Sequence, residues 1–181
     1  MQGTDAGDLI LAGDGNDFVY GGGGDDCLLG GAGDDTMVST PGDNLLAGGE
    51  GTDNLRGGVG KDVIRGGAGN DLLKGFQDDD RVEGGAGDDR VHGHVGDDIL
   101  RGGSGNDFLE GSFGDDDIDA GPGDDQVRGN TGKDHIRLGS GDDEVRVRDR
   151  RRDRVDCGPG RDVVTNADRV DRLKNCERVP R

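Results

Sequence analysis

The feature that most restricts this chain is a nine-residue period that runs almost unbroken to residue 145. Starting at Asp8, an Asp or Asn returns at every ninth position: Asp17, Asp26, Asp35, Asn44, Asp53, Asp62, Asp71, Asp80, Asp89, Asp98, Asp107, Asp116, Asp125, Asp134 and Asp143. Two residues after each stands an aliphatic side chain or Met, from Ile10 and Val19 through Met37 to Ile136 and Val145. Two residues before each stands Gly in fourteen of sixteen units, with Ala6 and Asp78 as the exceptions. A fixed period of this length marks stacked repeats, in which each unit buries its apolar residue against its neighbours. A disordered acidic tail has no reason to keep such a register.

Written out, the unit is Gly-Gly-x-Gly-x-Asp-x-aliphatic-x, as in Gly66-Gly67-Ala68-Gly69-Asn70-Asp71-Leu72-Leu73-Lys74, and its positions are numbered one to nine from the first Gly. A tight turn at every strand end needs positive φ, which Gly reaches without steric cost. Gly also lets backbone carbonyls crowd around a cation. Calcium takes about six to eight oxygen ligands and mixes carboxylates with backbone carbonyls. The Asp ending each turn offers the former and stacked turns the latter. Magnesium would demand stricter geometry, and soft metals would want His or Cys. His92, His94 and His135 are too few for that and read as solvated surface residues.

Alternate units differ, which adds a second period of eighteen. One series of turns keeps Gly at position two, at Gly31, Gly49, Gly67, Gly85, Gly103 and Gly121; the other has Thr40, Phe76, His94, Ser112 and Asn130 there, while Gly22 and Gly58 persist. Two nonapeptides per coil explain this, because alternate turns then stack along opposite edges. The candidate calcium ligands on the stronger edge are Asp17, Asp35, Asp53, Asp71, Asp89, Asp107, Asp125 and Asp143, with turn carbonyls such as those of Gly31, Gly33, Gly67, Gly69, Gly85, Gly87, Gly103 and Gly105. Those on the weaker edge are Asp8, Asp26, Asp62, Asp80, Asp98, Asp116 and Asp134. That edge carries Lys61 and Lys133 beside its Asp and the Gly-poor turn from Gly75 to Asp80.

This repeat resembles the RTX, or hemolysin-type, calcium-binding nonapeptide family, and the resemblance covers residues 1–146 of 181. It implies an all-β fold, a right-handed parallel β-roll whose first six residues per unit turn and bind calcium while the last three form a short strand. Multiple calcium ions are the expected cofactor and partner.

Charge gives the cation a further role. Residues 1–143 hold 32 acidic and 10 basic side chains, and hydrophobic residues make up only 28% of the chain. Self-repulsion and a thin core both oppose folding, so calcium binding and folding are expected to be one coupled event. Nucleic acid is excluded as a partner because its phosphates would be repelled. No apolar run approaches the roughly 18 residues of a membrane span.

Outward strand positions are apolar near the N-terminus, at Leu9, Leu11, Phe18, Tyr20, Cys27, Leu29, Val38 and Leu45, and mostly charged later. An exposed apolar end predicts an upstream domain or self-association through these first coils. After Val145 the register slips by one and resumes at Asp153, Asp162 and Asp171. Residues 147–181, which include Arg150-Arg151-Arg152, are read as an Arg-rich C-terminal cap for the last coil. Cys157 and Cys176 lie nineteen apart, close to the eighteen between stacked neighbours, so a disulfide is predicted, with free thiols as the alternative. Cys27 has no evident partner. A bridge points to an oxidising compartment, hence to a secreted or cell-surface protein.

No His-Glu-x-x-His or Gly-x-Ser-x-Gly motif is present, and the chain is not expected to be an enzyme. Position three reads Ala32, Pro41, Glu50, Val59, Ala68, Gln77 and Ala86, so no Thr ladder for ice binding exists. The expected role is an extracellular structural, folding or secretion module. The alternatives are an adhesion or interaction module, or a repeat region belonging to a larger secreted enzyme.

Overall fold

The computed structural model of the chain describes residues 1–147, 149–167 and 169–176. Arg148, Asp168 and residues 177–181 of the expected cap lie outside the described residues. The chain winds into a parallel β-solenoid with two sheets, and no helix occurs among the described residues.

The ten-stranded sheet holds β1 (Leu9–Asp14), β3 (Cys27–Ala32), β5 (Leu45–Glu50), β7 (Val63–Ala68), β9 (Arg81–Ala86), β11 (Ile99–Ser104), β13 (Asp117–Pro122), β15 (His135–Ser140), β17 (Arg154–Asp156) and β19 (Arg172–Lys174). The nine-stranded sheet holds β2 (Phe18–Tyr20), β4 (Thr36–Val38), β6 (Asn54–Val59), β8 (Leu72–Gln77), β10 (Arg90–Val95), β12 (Phe108–Phe113), β14 (Gln126–Thr131), β16 (Glu144–Arg146) and β18 (Val163–Thr165). Successive strands alternate between sheets, so each nonapeptide is half a coil.

Pairing follows the eighteen-residue period, as in Val63↔Arg81 and Leu73↔Val91. At the slip it lengthens to nineteen, with His135↔Arg154 and Glu144↔Val163, and then returns to eighteen with Arg154↔Arg172. The extra residue is taken up between Arg146 and Arg154, and β17, β18 and β19 extend the same two sheets.

Most strands are six residues long, against the expected three. The ladder continues through positions one to three, as in Gly49↔Gly67 and Glu50↔Ala68. Gly at these positions leaves the backbones free to stay in register.

The core is the column of position-eight side chains. Val19, Leu28, Met37, Leu46, Leu55, Ile64 and Leu73 are fully buried, and the column continues to Val145, Val155 and Val164. Ile10 is only partly buried, because no coil covers it. Position one also points inward. It is mostly Gly, but Ala120, Leu138, Val147 and Cys157 fill it near the C-terminal end and broaden the core there. Cys157 is bonded to Cys176 across a Cα–Cα distance of 5.1 Å, so the free-thiol alternative falls.

Candidate metal-binding turns

Each strand-to-strand turn ends in the repeat's Asp, whose side chain points inward. The ladder aspartates from Asp26 to Asp162 are all at most 2% exposed. Their Oδ1 atoms form a regular chain: the N–H of Asp53 donates to Asp71 Oδ1 at 2.8 Å, and that of Asp71 to Asp89 Oδ1 at 2.8 Å. The other edge does the same, with Asp62 N–H to Asp80 at 2.9 Å and Asp80 N–H to Asp98 at 2.8 Å.

The second oxygen is left without a donor. At every ladder Asp from Asp35 to Asp153, Oδ2 is buried and has no hydrogen-bond partner among the described residues. A buried carboxylate oxygen in that state costs free energy unless a proton or a cation meets it. Burial therefore pushes carboxyls within this run up, to about 6 at Asp53 and Asp107, about 7 at Asp89 and Asp125, and about 8 at Asp80 and Asp116. Neighbouring ladder carboxylates add to the rise at Asp80, Asp89, Asp116 and Asp125, and the backbone N–H bonds only partly oppose it.

The glycines complete the cradle. Gly67 has φ of +123°, and a Cβ placed there would collide with the carbonyl oxygen of Gly49 one coil back. The same holds at position four, where a Cβ on Gly69 would strike Gly51 O. Carbonyls at positions two and four thus project into the gap between stacked turns, and those of Gly31, Gly33, Gly67, Gly69, Gly85, Gly87, Gly103 and Gly105 all do so. At position one a Cβ on Gly66 or Gly84 would meet Oδ2 of Asp71 or Asp89, so that Gly makes room for the carboxylate.

One unit offers an amide in place of the carboxylate. Asn44 replaces Asp, and its Nδ2 donates to Gly42 O at 2.8 Å, Thr40 O at 3.2 Å and Asp62 Oδ1 at 2.9 Å. The amide thus finds the position-two carbonyl, the position-four carbonyl and a carboxylate of the next coil all within reach of one point. This donor set, carboxylate with backbone carbonyl, is the hard-oxygen mixture calcium takes. No cluster of three or more His, Cys, Asp or Glu suited to a metal occurs among the described residues, so side chains alone do not make a soft-metal site.

Near the N-terminus two predicted ligands already have donors. Asp8 Oδ2 accepts from Thr4 N–H at 2.7 Å and Thr4 Oγ1 at 2.9 Å, and Asp26 Oδ2 accepts from Ser39 Oγ at 3.2 Å.

From Asp53 and Asp62 onward the two edges are alike in their carboxylates and differ elsewhere. Lys61 and Lys133 turn outward, to Asp79 at 2.8 Å and Asp115 at 3.8 Å, and leave the carboxylates of Asp62 and Asp134 alone. The difference lies at position two. Phe76, His94, Ser112 and Asn130 hold φ of 95°, 81°, 85° and 66° there, which Gly would adopt freely. The histidines correct an expectation. His92 and His94 are half-buried and stacked, with rings 4.9 Å apart for Phe76–His94, which strand pairing aligns across neighbouring coils, and 5.8 Å for His92–His94, which stand two residues apart on one strand.

Sequence reasoning passed over position five. Twelve of sixteen units have Asp or Asn there. These side chains build a second ladder that runs the opposite way: Asp88 N–H donates to Asn70 Oδ1 at 2.8 Å, Asn106 N–H to Asp88 Oδ1 at 2.8 Å and Asp124 N–H to Asn106 Oδ1 at 2.8 Å. The excess of Asp and Asn was the available signal.

Comparison with protein families agrees with this geometry. The model of the RTX calcium-binding nonapeptide repeat matches in four copies, at residues 2–37, 38–73, 74–109 and 110–145. The chain belongs to the RTX calcium-binding nonapeptide-repeat family. Each copy in this RTX chain spans four nonapeptides, or two coils, and the last ends at β16. A search of curated proteins finds no match.

Proposed function

We propose that this RTX chain is an extracellular structural and folding module whose repeats become a rod when calcium is bound. The observation that carries the reading is the run of buried, partnerless Oδ2 atoms from Asp35 to Asp153 on both edges. Asp17, Asp35, Asp53, Asp71, Asp89, Asp107, Asp125 and Asp143 would hold the ions on one edge, with position-two and position-four carbonyls. Asp62, Asp80, Asp98, Asp116 and Asp134 would do so on the other; Asp8 and Asp26, which already have donors, would be the poorest. Calcium supplies the positive charge that these oxygens lack. The protein's part is to aim carboxylates inward, hold them through backbone N–H bonds and keep the gap free of Cβ atoms.

The edge with Gly at position two is expected to load first, since Phe76, His94, Ser112 and Asn130 hold strained backbone on the other. The Cys157–Cys176 bridge supports the secreted assignment and a capping role for residues 147–181. Leu9, Leu11 and Phe18 are 68%, 61% and 61% exposed, which supports an upstream domain or a second copy as a partner for the first coils. A calcium titration by calorimetry, with metal counting and circular dichroism, tests the reading. Coupled folding gives a β spectrum that grows with calcium and collapses in excess EDTA; an unchanged spectrum in EDTA overturns it.

A further inference from the structure

The two sheet faces carry opposite charge logic at position nine. On the ten-stranded sheet the column reads Arg65, Glu83, Arg101, Asp119, Arg137, Asp156 and Lys174, alternating in sign through the register. It pairs internally, with Arg65–Glu83 at 4.0 Å, Arg137–Asp119 at 3.4 Å and Lys174–Asp156 at 2.6 Å. On the nine-stranded sheet the column reads Arg56, Lys74, His92, Glu110, Arg128 and Arg146. Arg56 is directly opposite Lys74, and Arg128 opposite Arg146. Like charges facing each other across strands are destabilising. Arg56, Lys74 and Arg128 have no ion-pair partner among the described residues, although the rest of the chain is rich in carboxylates. The single acid, Glu110, is held by Asn130 Nδ2 at 2.9 Å and faces His92 Nδ1 at 3.4 Å.

Ring faces flank this column. Phe76 and His94 stack on one side with planes 7° apart. On the other side the Arg128 guanidinium lies 5.0 Å over the Phe108 ring. Phe76 and His94 also hold left-handed backbone where Gly would be free, a cost that implies a use for these side chains. Farther along the same sheet, at β14 and β16, lies a groove of about 260 Å³ lined by Arg128, Asn130, Arg146 and Asn166.

We propose that the outer face of the nine-stranded sheet binds a linear anionic polysaccharide, carboxylated or sulfated, laid along the solenoid axis. Strands repeat at about 4.8 Å, so Arg56 with Lys74 and Arg128 with Arg146 form two cation pairs, each spaced at about the interval at which an extended acidic glycan presents its sugars, with His92 and Glu110 between them. Flat rings beside guanidinium and amide groups suit pyranose faces and their acidic substituents. A nucleic-acid duplex carries a charge every 1.7 Å or so, far denser than the column, and would meet the acidic turns on both edges. The surface exists only in the wound chain, so this inference rests on the proposed calcium-dependent folding.

The test is calorimetry in constant millimolar calcium with size-defined heparin and hyaluronan oligosaccharides, neutral dextran and oligothymidylate. Circular dichroism of each sample separates a failure to fold from a failure to bind. The expected result is binding of heparin, hyaluronan or both that weakens with salt, none of dextran, and at least about tenfold weaker binding in an Arg128→Ser/Arg146→Ser variant. The matched Arg65→Ser/Arg101→Ser variant on the other sheet should bind as the parent does. Heparin sets sulfate against carboxylate: preference for it over hyaluronan assigns the sulfated class, and the reverse the carboxylated one. No binding by the folded chain, equal loss in both variants, or tighter binding of oligothymidylate than of either glycan would overturn the proposal.

Discussion

Replacing Asp89 with Asn should change stability in opposite directions with and without calcium. Asp89 accepts the Asp71 N–H on Oδ1 at 2.8 Å, and its Oδ2 has no partner. An Asn keeps the first bond, as Asn44 does by accepting the Asp26 N–H at 2.9 Å. Its amide would replace the bare Oδ2 and reach its own turn's carbonyls, as Asn44 Nδ2 reaches Gly42 O and Thr40 O at 2.8 and 3.2 Å. Two neutral hydrogen bonds at about 1 kcal/mol each make the metal-free coil roughly 2 kcal/mol more stable. In calcium the same change removes a carboxylate proposed to hold the ion. A site held at about a hundred times its Kd contributes around 2.7 kcal/mol, so losing one leaves the variant roughly 1 kcal/mol less stable than the parent. Urea unfolding followed by circular dichroism measures both arms. The calcium arm is run directly, and the EDTA arm in a stabilising osmolyte that brings the metal-free fold within reach. A variant less stable in both arms, or one that keeps the parent's metal count, would show that the bare Oδ2 of Asp89 neither costs stability without metal nor holds calcium.

Three further outcomes follow from the same geometry. In EDTA, Asp53, Asp89 and Asp116 have folded values of about 6, 7 and 8 against 3.8 unfolded, so their contribution to stability is present below pH 3.8 and is lost as pH rises through 6 to 8. Far-ultraviolet circular dichroism should therefore show metal-free β structure increasing on acidification, whereas the calcium midpoint should worsen as protons compete; a metal-free fold most stable at pH 8 would contradict this. Gly67→Ala combines a φ of +123° with a Cβ directed at Gly49 O, whereas Gly13→Ala has φ of +103° and open space around it. Thermal melts in calcium should show the Gly67 change as the costlier, Gly13 losing only the roughly 1–3 kcal/mol of backbone strain. Cys157→Ser/Cys176→Ser opens a bridge of sequence separation 19 and should cost about 3 kcal/mol in the same melts, with the β spectrum in calcium retained.

Much of the architecture was legible because the period ties chemistry to geometry. The Asp and aliphatic columns recur at the spacing of the coil and stack as that spacing requires, and the Cys pair, at nineteen, lies one residue off it and still bridges. The one-residue slip was visible too, and pairing at nineteen follows it. The position-five ladder was missed because its Asp and Asn look like general acidity until Asp88 N–H is seen to meet Asn70 Oδ1. Lys61 was misplaced for a related reason: adjacency in sequence to Asp62 does not matter when position five points out and position six points in.

Residue order alone set the repeat length, the residues that turn, the residues that pack and the kind of oxygen the turns present. It did so because Gly, Asp and aliphatic side chains each have few conformational uses at fixed spacing. Winding the chain added that each ladder Asp from Asp35 to Asp153 has one carboxylate oxygen bonded and the other bare, and that Asn44 Nδ2 meets two turn carbonyls and a carboxylate of the next coil. It also decided that one sheet alternates its charges while the other aligns Arg56 with Lys74 and Arg128 with Arg146. These are relations between residues eighteen apart that become neighbours only when the chain is wound, and neighbours, not composition, set electrostatic energy.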